Sequence, residues 1–211
     1  MTNKNLWTFS TTDPKPESPE IEIKTKSREY NGYFNIDRYS AELTWPADGL
    51  VQKLNRFVFE RGDAVAVLLL DKAAKKVVMV RQFRMPPVCR GDQGWIIEIV
   101  AGSMTPDEDP AKVAEKEVLE EIGVKAENFD FKGVFYLSPG GVSERCFLYF
   151  ADVDSREIAG NVAGEDGTDE RTVVESFDIS AIPGMLARGE VRDAKTIIAL
   201  QMLLLNMSNG D

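Results

Sequence analysis

The chain has 211 residues, a formal net charge of −10, no histidine and two cysteines. This length predicts one domain with a small appendage. The negative net charge argues against nucleic-acid binding, which requires a positively charged surface. The missing histidine excludes Ser-His and Cys-His nucleophile pairs, and two cysteines favour neither a zinc site nor a disulfide framework. No apolar run approaches the ~20 residues that cross a bilayer, and the polar N-terminus lacks a signal-peptide pattern. We therefore expect a cytoplasmic protein that binds neither nucleic acid nor membrane.

The first sixty residues divide into a polar arm and a small sheet. Residues 1–19 contain three prolines and no hydrophobic periodicity, which predicts a loosely attached arm. Residues 20–60 alternate apolar and polar side chains, as in 21–25, 33–39 and 56–59, which is typical of antiparallel strands. This section is too short to close a core of its own, so we expect it to dimerise with a second copy of the chain.

Residues 61–207 carry a denser pattern that predicts the main domain. Strands are predicted at 64–71, 77–83, 95–100, 131–137, 146–153 and 171–177, a loop at 86–94, and helices at 110–122, 179–188 and 193–206. Asp109 is a suitable cap for the first helix, Pro110 suits its first position, and Gly123 suits its exit. The order of sheet, helix, sheet and helices indicates a mixed α/β class.

The helix predicted at 110–122 carries three carboxylates on one face. Glu117, Glu120 and Glu121 lie at positions i, i+3 and i+4, beside an apolar stripe. Three ionised carboxylates this close repel each other, and a hard divalent cation held among them would reverse the sign of that interaction. A solvated acidic face is the commoner explanation for such a cluster, so the surrounding residues decide between the two.

Those surrounding residues resemble the Nudix box, the signature of the Nudix hydrolases. The stretch reads Gly102-x5-Glu108-x7-Lys116-Glu117-Val118-x-Glu120-Glu121-x-Gly123-Val124, and only Lys116 departs from the signature, which has arginine there. Lys116 can pair with Glu120 one turn later, but it cannot form the forked bond of an arginine. Further segments resemble the ADP-ribose pyrophosphatase branch and the related GDP-mannose hydrolases: 80–84 (VRQFR), 95–102 (WIIEIVAG), 138–145 (SPGGVSER) and 193–200 (DAKTIIAL).

The resemblance implies an α/β/α sandwich with a mixed sheet and a homodimer whose N-terminal strands cross to the partner subunit. It implies a hydrolase, dependent on Mg²⁺ or alternatively Mn²⁺, that cleaves the diphosphate of a nucleoside diphosphate sugar. ADP-ribose, giving AMP and ribose 5-phosphate, is the first candidate. Pro139 lies 15 residues after Val124, close to the spacing that marks ADP-ribose hydrolases, but this proline does not settle the substrate. GDP-mannose or another such sugar is the alternative, since the GDP-mannose branch shares this stretch and the lysine.

Two hypotheses from other classes remain open. One is a Nudix-like domain that binds a nucleotide without cleaving it, which loss of box carboxylates would favour; all four glutamates are present. The other is a protein–protein module that only keeps the fold, which would show no metal-dependent release of phosphate.

The resemblance also implies the site residues. The metal ligands would be Glu117 and Glu121, with Glu120 as a further ligand or supporting group and the Ala101 carbonyl as an additional oxygen. The substrate-binding candidates are Arg84, Arg81, Glu98, Pro139 and Glu144. Two strand residues three apart point to opposite faces, so only one of the two arginines is expected at the ligand. For Glu98, a functional and a structural role are about equally expected. Glu144 is expected either to touch the substrate or to pair with Arg145.

The base that accepts the proton of the attacking water is predicted on an acidic loop. Without histidine, the proton must pass to a carboxylate, a lysine or a metal hydroxide. Residues 164–170 supply free carboxylates; Glu165 is the first candidate and Glu170 the second, beside Glu120 in the box. A solvated turn is the ordinary explanation for a loop of this composition.

Overall fold

The computed structural model describes residues 18–158, 162–163 and 172–209. The chain divides into two compact units. The first, here called the N-terminal unit, comprises the chain up to Arg61 together with Ser138–Glu144. The second, the main unit, comprises Gly62–Leu137 and the chain from Arg145 onward. Most of the arm predicted at 1–19 lies outside the described residues.

The N-terminal unit is a three-stranded antiparallel sheet in the order β1-β2-β3. Its strands are β1 (Glu20–Asn31), β2 (Asn35–Thr44) and β3 (Val51–Glu60). The predicted antiparallel β section is therefore confirmed. Ser138–Glu144 packs on β3, where the Phe59 N–H donates to the Gly141 carbonyl at 2.7 Å and the Ser143 N–H donates to the Phe59 carbonyl at 3.1 Å.

The main unit is built on a mixed sheet in the order β10-β11-β5-β4-β9-β8, with β6 paired to β5 and β7 paired to β4. The strands are β4 (Asp63–Asp71), β5 (Lys76–Phe83), β6 (Trp95–Glu98), β7 (Val100–Met104), β8 (Glu127–Tyr136), β9 (Arg145–Asp152), β10 (Val162–Ala163) and β11 (Thr172–Asp178). Strands β4 and β9 are parallel, and the other pairs are antiparallel. This arrangement confirms the predicted mixed α/β class.

Helices cover the sheet around the central strand β4. The helices are α1 (Met85–Val88), α2 (Pro110–Ile122), α3 (Ile182–Ala187) and α4 (Ala194–Asn209). Both α2 and α4 contact β4, whose residues from Val65 to Leu70 are all buried. Ala66, Leu68 and Leu70 join one core cluster with the side chains of α3 and α4. Because alternate strand residues point to opposite faces, the residues between them are directed to the other face of the sheet.

Two local predictions need correction. The segment 86–94 is not loop throughout, because Pro86 and Pro87 fall in the first turn of the short helix α1, where proline is tolerated. The strand predicted at 95–100 is interrupted at Ile99, since β6 pairs with β5 whereas β7 pairs with β4. The Ile99 N–H donates to the Thr196 hydroxyl of α4 at 2.9 Å, which satisfies the backbone where the strand changes partner.

Within the part of the chain that the structure describes, no helix is long and apolar enough to span a membrane.

Candidate active site

The site is built where α2 packs against β7. Asp109 begins the helix by accepting the Ala111 N–H at 2.9 Å, and Gly123 ends it with a left-handed φ of 73°. Both helix signals predicted from the sequence are thus confirmed. At Gly102 of β7, an added Cβ would lie 2.0 Å from the carboxyl carbon of Glu117. Glycine is required there because the Glu117 carboxyl occupies the space that a side chain would fill.

Gly102→Ala should displace the Glu117 carboxyl and lower metal-dependent turnover about 10- to 100-fold, the usual cost of disturbing a metal ligand's surroundings. The measurement is turnover against Mg²⁺ concentration, together with the thermal midpoint. Gly184→Ala is the matched control, because its added Cβ meets only the flexible end of Arg188, with the nearest contact at 2.9 Å. Equal activity of both variants would show that the Glu117 position is unimportant.

Glu121 combines a largely buried carboxyl group with an unsatisfied carboxyl oxygen. One carboxyl oxygen, Oε2, is buried and has no hydrogen-bond partner. The pKa of Glu121 is raised to about 8 by burial and by the charge of Glu117, although the backbone hydrogen bond with Ala101 lowers it. Two carboxyl groups with an orphaned oxygen are the hard donor set that a divalent cation prefers. The residues present therefore fit the metal that the sequence predicted.

The carboxyl groups of Glu117 and Glu121 lie near each other, whereas the Glu120 side chain lies at the surface beside Lys116. The Glu120 side chain is 55% exposed and pairs with Lys116 at 3.2 Å. The predicted pairing one turn apart is confirmed, and the Glu120 hydrogen bond raises the pKa of Lys116. Among the described residues, no three acidic or cysteine side chains lie close enough together to hold a metal ion. Glu120 as a ligand or catalytic group, and the Ala101 carbonyl as a ligand, remain predictions.

An ion cluster around the buried carboxyl of Glu98 borders the carboxylate pair. Arg84 forms a forked pair with Glu98, Nε to Oε1 at 2.7 Å and Nη2 to Oε2 at 3.1 Å, and Lys195 of α4 bonds the same carboxyl. Burial alone would raise the pKa of Glu98, but Arg84 and Lys195 outweigh burial and hold it below its usual range. Burial likewise opposes protonation of Lys195, yet Asp193 and Glu98 keep its pKa raised. Both Arg84 and Glu98 act electrostatically on Glu121, which places the cluster at the candidate site.

Lys195 is a residue that the sequence reasoning missed. Its signal was the single basic residue of the last predicted helix, placed just before the apolar run 197–200. The side chain is 11% exposed, and it bonds Glu98 as well as Asp193. A buried lysine with two carboxylate partners fixes the carboxyl that in turn holds Arg84.

Arg81 lies in a separate pair. Its guanidinium forks onto Glu175 of β11, at 2.7 Å from Nε and 3.1 Å from Nη2. The two arginines thus have different carboxylate partners. A role for Arg81 in substrate binding remains a prediction.

The other predicted substrate residues belong to the N-terminal unit. Pro139 and Glu144 lie in Ser138–Glu144, and Glu144 pairs with Arg61 at 3.2 Å. The alternative partner considered for it, Arg145, forks onto Asp63 within the main unit. Glu165 and Glu170, the candidates for the base, lie outside the described residues.

Comparisons with known proteins agree with this geometry. A family model described as NUDIX domain matches residues 60–200. A GDP-mannose pyrophosphatase of Cronobacter sakazakii is 35% identical over 184 residues, covering 87% of this chain and 94% of the relative. One of Pectobacterium atrosepticum is 31% identical over 189 residues, covering 89% and 96%. A crystal structure of an ADP compounds hydrolase has a TM-score of 0.67 at 15% identity, covering 94% of this chain and 98% of the other. This last similarity supports the fold alone.

Proposed function

Because the chain belongs to the NUDIX family, we propose that it hydrolyses the diphosphate bridge of a nucleoside diphosphate sugar. Water would attack one phosphorus, and the products would be a nucleoside monophosphate and a sugar phosphate. The observation that carries the proposal is the pair of neighbouring carboxyl groups, Glu117 and Glu121, with a buried carboxyl oxygen that lacks a hydrogen-bond partner. A domain that only held the fold would have no need of that costly arrangement.

GDP-mannose is the substrate to test first. The curated relatives described above are named GDP-mannose pyrophosphatases, and each aligns with more than four fifths of this chain. ADP-ribose is the second candidate, favoured by the spacing of Pro139 from the box. With GDP-mannose the products would be GMP and mannose 1-phosphate.

The residues of the site have separable roles in this proposal. Glu117, Glu121 and the backbone of Ala101 would hold Mg²⁺ or Mn²⁺, and Glu120 could join them on leaving Lys116. When bound, the cation supplies positive charge that stabilises the phosphoryl oxygens. Arg84, held by Glu98, would orient the diphosphate, since a guanidinium matches phosphate geometry.

A carboxylate of the 164–170 loop remains our candidate for the base, with Glu165 before Glu170. Ligation would occupy the lone pairs of the box carboxylates and lower their basicity, whereas a carboxylate that binds no metal keeps its basicity. Comparing kcat of Glu165→Gln with that of Glu170→Gln tests this order, and a larger loss in Glu170→Gln would reverse it.

A substrate panel tests the proposed function. The purified protein is incubated with GDP-mannose, ADP-ribose or UDP-glucose, each with Mg²⁺, with Mn²⁺ or with a chelator. Phosphate is then measured after phosphatase treatment, because both expected products carry phosphomonoesters and the intact substrates do not. We expect release that depends on the metal and is fastest with GDP-mannose. Binding of these compounds without any release would instead favour the nucleotide-binding domain.

We also propose that the N-terminal unit dimerises. Its three strands leave large apolar side chains exposed, among them Ile21, Ile23 and Phe57 at 60–67%. A three-stranded sheet with such faces buries too little apolar surface to be stable unaided. A solution mass of two chains at micromolar concentration is expected, and a stable, active monomer would contradict the proposal.

A further inference from the structure

The start of α4 holds the strand that borders the candidate metal site. Ile99 lies between β6 and β7, where the chain leaves β5 and begins to pair with β4. The Thr196 hydroxyl accepts the Ile99 N–H at 2.9 Å, and both residues are fully buried within the main unit. A side chain 97 positions away in the sequence therefore fixes the backbone just before β7.

The hydrogen-bond partners of the Thr196 hydroxyl determine its orientation. The hydroxyl donates to Oδ2 of Asp193 at 2.6 Å, and a carboxylate can only accept. A backbone N–H can only donate, so the hydroxyl oxygen must serve Ile99 as the acceptor. Lys195 lies 3.0 Å from Oδ1 of Asp193 and therefore holds this carboxylate in turn. The hydroxyl is thus restricted to the one orientation in which it can accept from Ile99.

Strand β7 contacts both carboxyl groups of the candidate metal pair. Ala101 forms a backbone hydrogen bond with the Glu121 carboxyl. Gly102 leaves open the space that the Glu117 carboxyl occupies. These two backbone positions follow Ile99 closely, so a shift of the chain at Ile99 would move the surface against which both carboxyl groups rest. Groups that support a metal ligand without touching the cation still affect the affinity for the cation.

We propose that Thr196 is a positioning residue for the metal site, because its bond to Ile99 sets the place of β7 beside the two carboxyl groups. The proposal rests on the proposed function, in which Glu117 and Glu121 hold a divalent cation. It assigns to α4 a part in metal binding, although none of the candidate ligands lies on that helix. Thr196 acts through the backbone and does not touch the cation.

The first test measures Mn²⁺ affinity by calorimetry, without substrate, in the wild type and in two variants. Thr196→Val keeps the size of the side chain but leaves the buried Ile99 N–H without an acceptor, so the dissociation constant for Mn²⁺ should rise roughly 10-fold. Thr196→Ser should retain the wild-type affinity, since serine has the same hydrogen-bonding groups. Unchanged affinity in Thr196→Val would overturn the proposal, and so would an equal loss in both variants.

Ser155→Ala is the matched control for a loss of stability. The Ser155 hydroxyl donates to the buried Asp71 carboxylate at 2.6 Å, the same distance as from Thr196 to Asp193. Asp71 ends β4, whereas β7 pairs with the first half of that strand. The control should lower the thermal midpoint and leave the Mn²⁺ affinity unchanged. A loss of affinity equal to that of Thr196→Val would mean that any loosening of the main unit suffices, which would overturn the proposal.

Amide hydrogen exchange in chelator tests the same step before any metal is bound. In Thr196→Val, the amides of residues 99–102 should exchange faster, whereas those of β9 should keep their wild-type rates. Faster exchange throughout the main unit would indicate a structural role alone and would contradict the inference. If Thr196→Val does not fold, Thr196→Cys takes its place; a thiol hydrogen-bonds weakly, so it must also raise the dissociation constant, although by less.

Metal binding and hydrolysis are scored separately, so this inference and the proposed function can fail independently. If Thr196→Val weakens Mn²⁺ binding but the wild type cleaves none of the nucleoside diphosphate sugars, the positioning role stands and the proposed function fails. If the wild type cleaves them and Thr196→Val binds Mn²⁺ as tightly as the wild type, the function stands and the positioning role fails. A wild type that binds no Mn²⁺ overturns both.

Discussion

Replacing Glu121 by glutamine should remove most of the hydrolytic activity and make the metal-free protein more stable. The change deletes one charge from the candidate metal cage, and loss of a metal ligand removes the charge stabilisation that phosphoryl transfer needs. The fold should persist, because glutamine has nearly the same shape. Near-normal turnover at saturating Mg²⁺ would show that the metal site lies elsewhere.

The stability effect of Glu121→Gln has a defined pH window. The pKa of Glu121 is raised by burial from 4.5 to about 8 in the folded protein. Between these values the unfolded chain has released a proton that the folded chain retains, so stability falls as pH rises. One pKa unit is worth about 1.4 kcal/mol, so the loss reaches a few kcal/mol by pH 8. Glutamine has no such loss.

Thermal unfolding in chelator between pH 4 and 8 measures this difference. The variant should match the wild type at pH 4 and exceed it increasingly toward pH 8. Glu120→Gln is the control for stability, since the exposed Glu120 side chain pairs with Lys116 at the surface and should give no gain that grows with pH. A wild-type curve that is parallel to the Glu121→Gln curve would contradict the burial of that charge.

Helix α2 was predictable because its determinants are local. Its cap is two residues from the N–H that it accepts, at Asp109 and Ala111, and its exit needs only the positive φ of Gly123. Lys116 and Glu120 meet because they are one turn apart. For the same reason the sequence predicts which carboxylates share a face and that Lys116 can pair with Glu120, although it does not predict that a carboxyl oxygen of Glu121 is buried without a hydrogen-bond partner.

Partners that are distant in sequence were not predictable. Lys195 meets Glu98 across 97 positions, and Glu175 meets Arg81 across 94. These pairs depend on how α4 and β11 pack on the sheet, and no local pattern records that packing. Arg61 was missed for the same reason: its partner Glu144 is brought back to β3 by a segment that the sequence assigned to the other domain.

Two arginine–carboxylate pairs near the end of β5 have the same geometry but differ in how far the carboxylate is buried, so they show what burial contributes to stability. Arg84 with Glu98 and Arg81 with Glu175 have the same distances, 2.7 and 3.1 Å. The Glu98 side chain is 2% exposed, whereas that of Glu175 is 30% exposed. Glu98→Gln should cost about 3–5 kcal/mol of unfolding free energy, because it leaves the buried Lys195 and the half-buried Arg84 without the carboxylate they share. Glu175→Gln should cost about 1 kcal/mol or less, since water can solvate Arg81.

Denaturant unfolding of both variants at neutral pH measures these costs, and acid unfolding identifies their origin. Arg84 and Lys195 outweigh burial and hold the pKa of Glu98 below its usual value of 4.5. A depressed folded-state pKa contributes stability that is present above the unfolded value and is lost as pH falls below it. The wild type should therefore lose its advantage over Glu98→Gln as the pH drops below 4.5, while the small difference to Glu175→Gln stays small throughout. Equal costs at neutral pH would mean that the forked geometry alone sets the strength of these pairs, and that burying the Glu98 cluster beside Glu121 adds nothing to it.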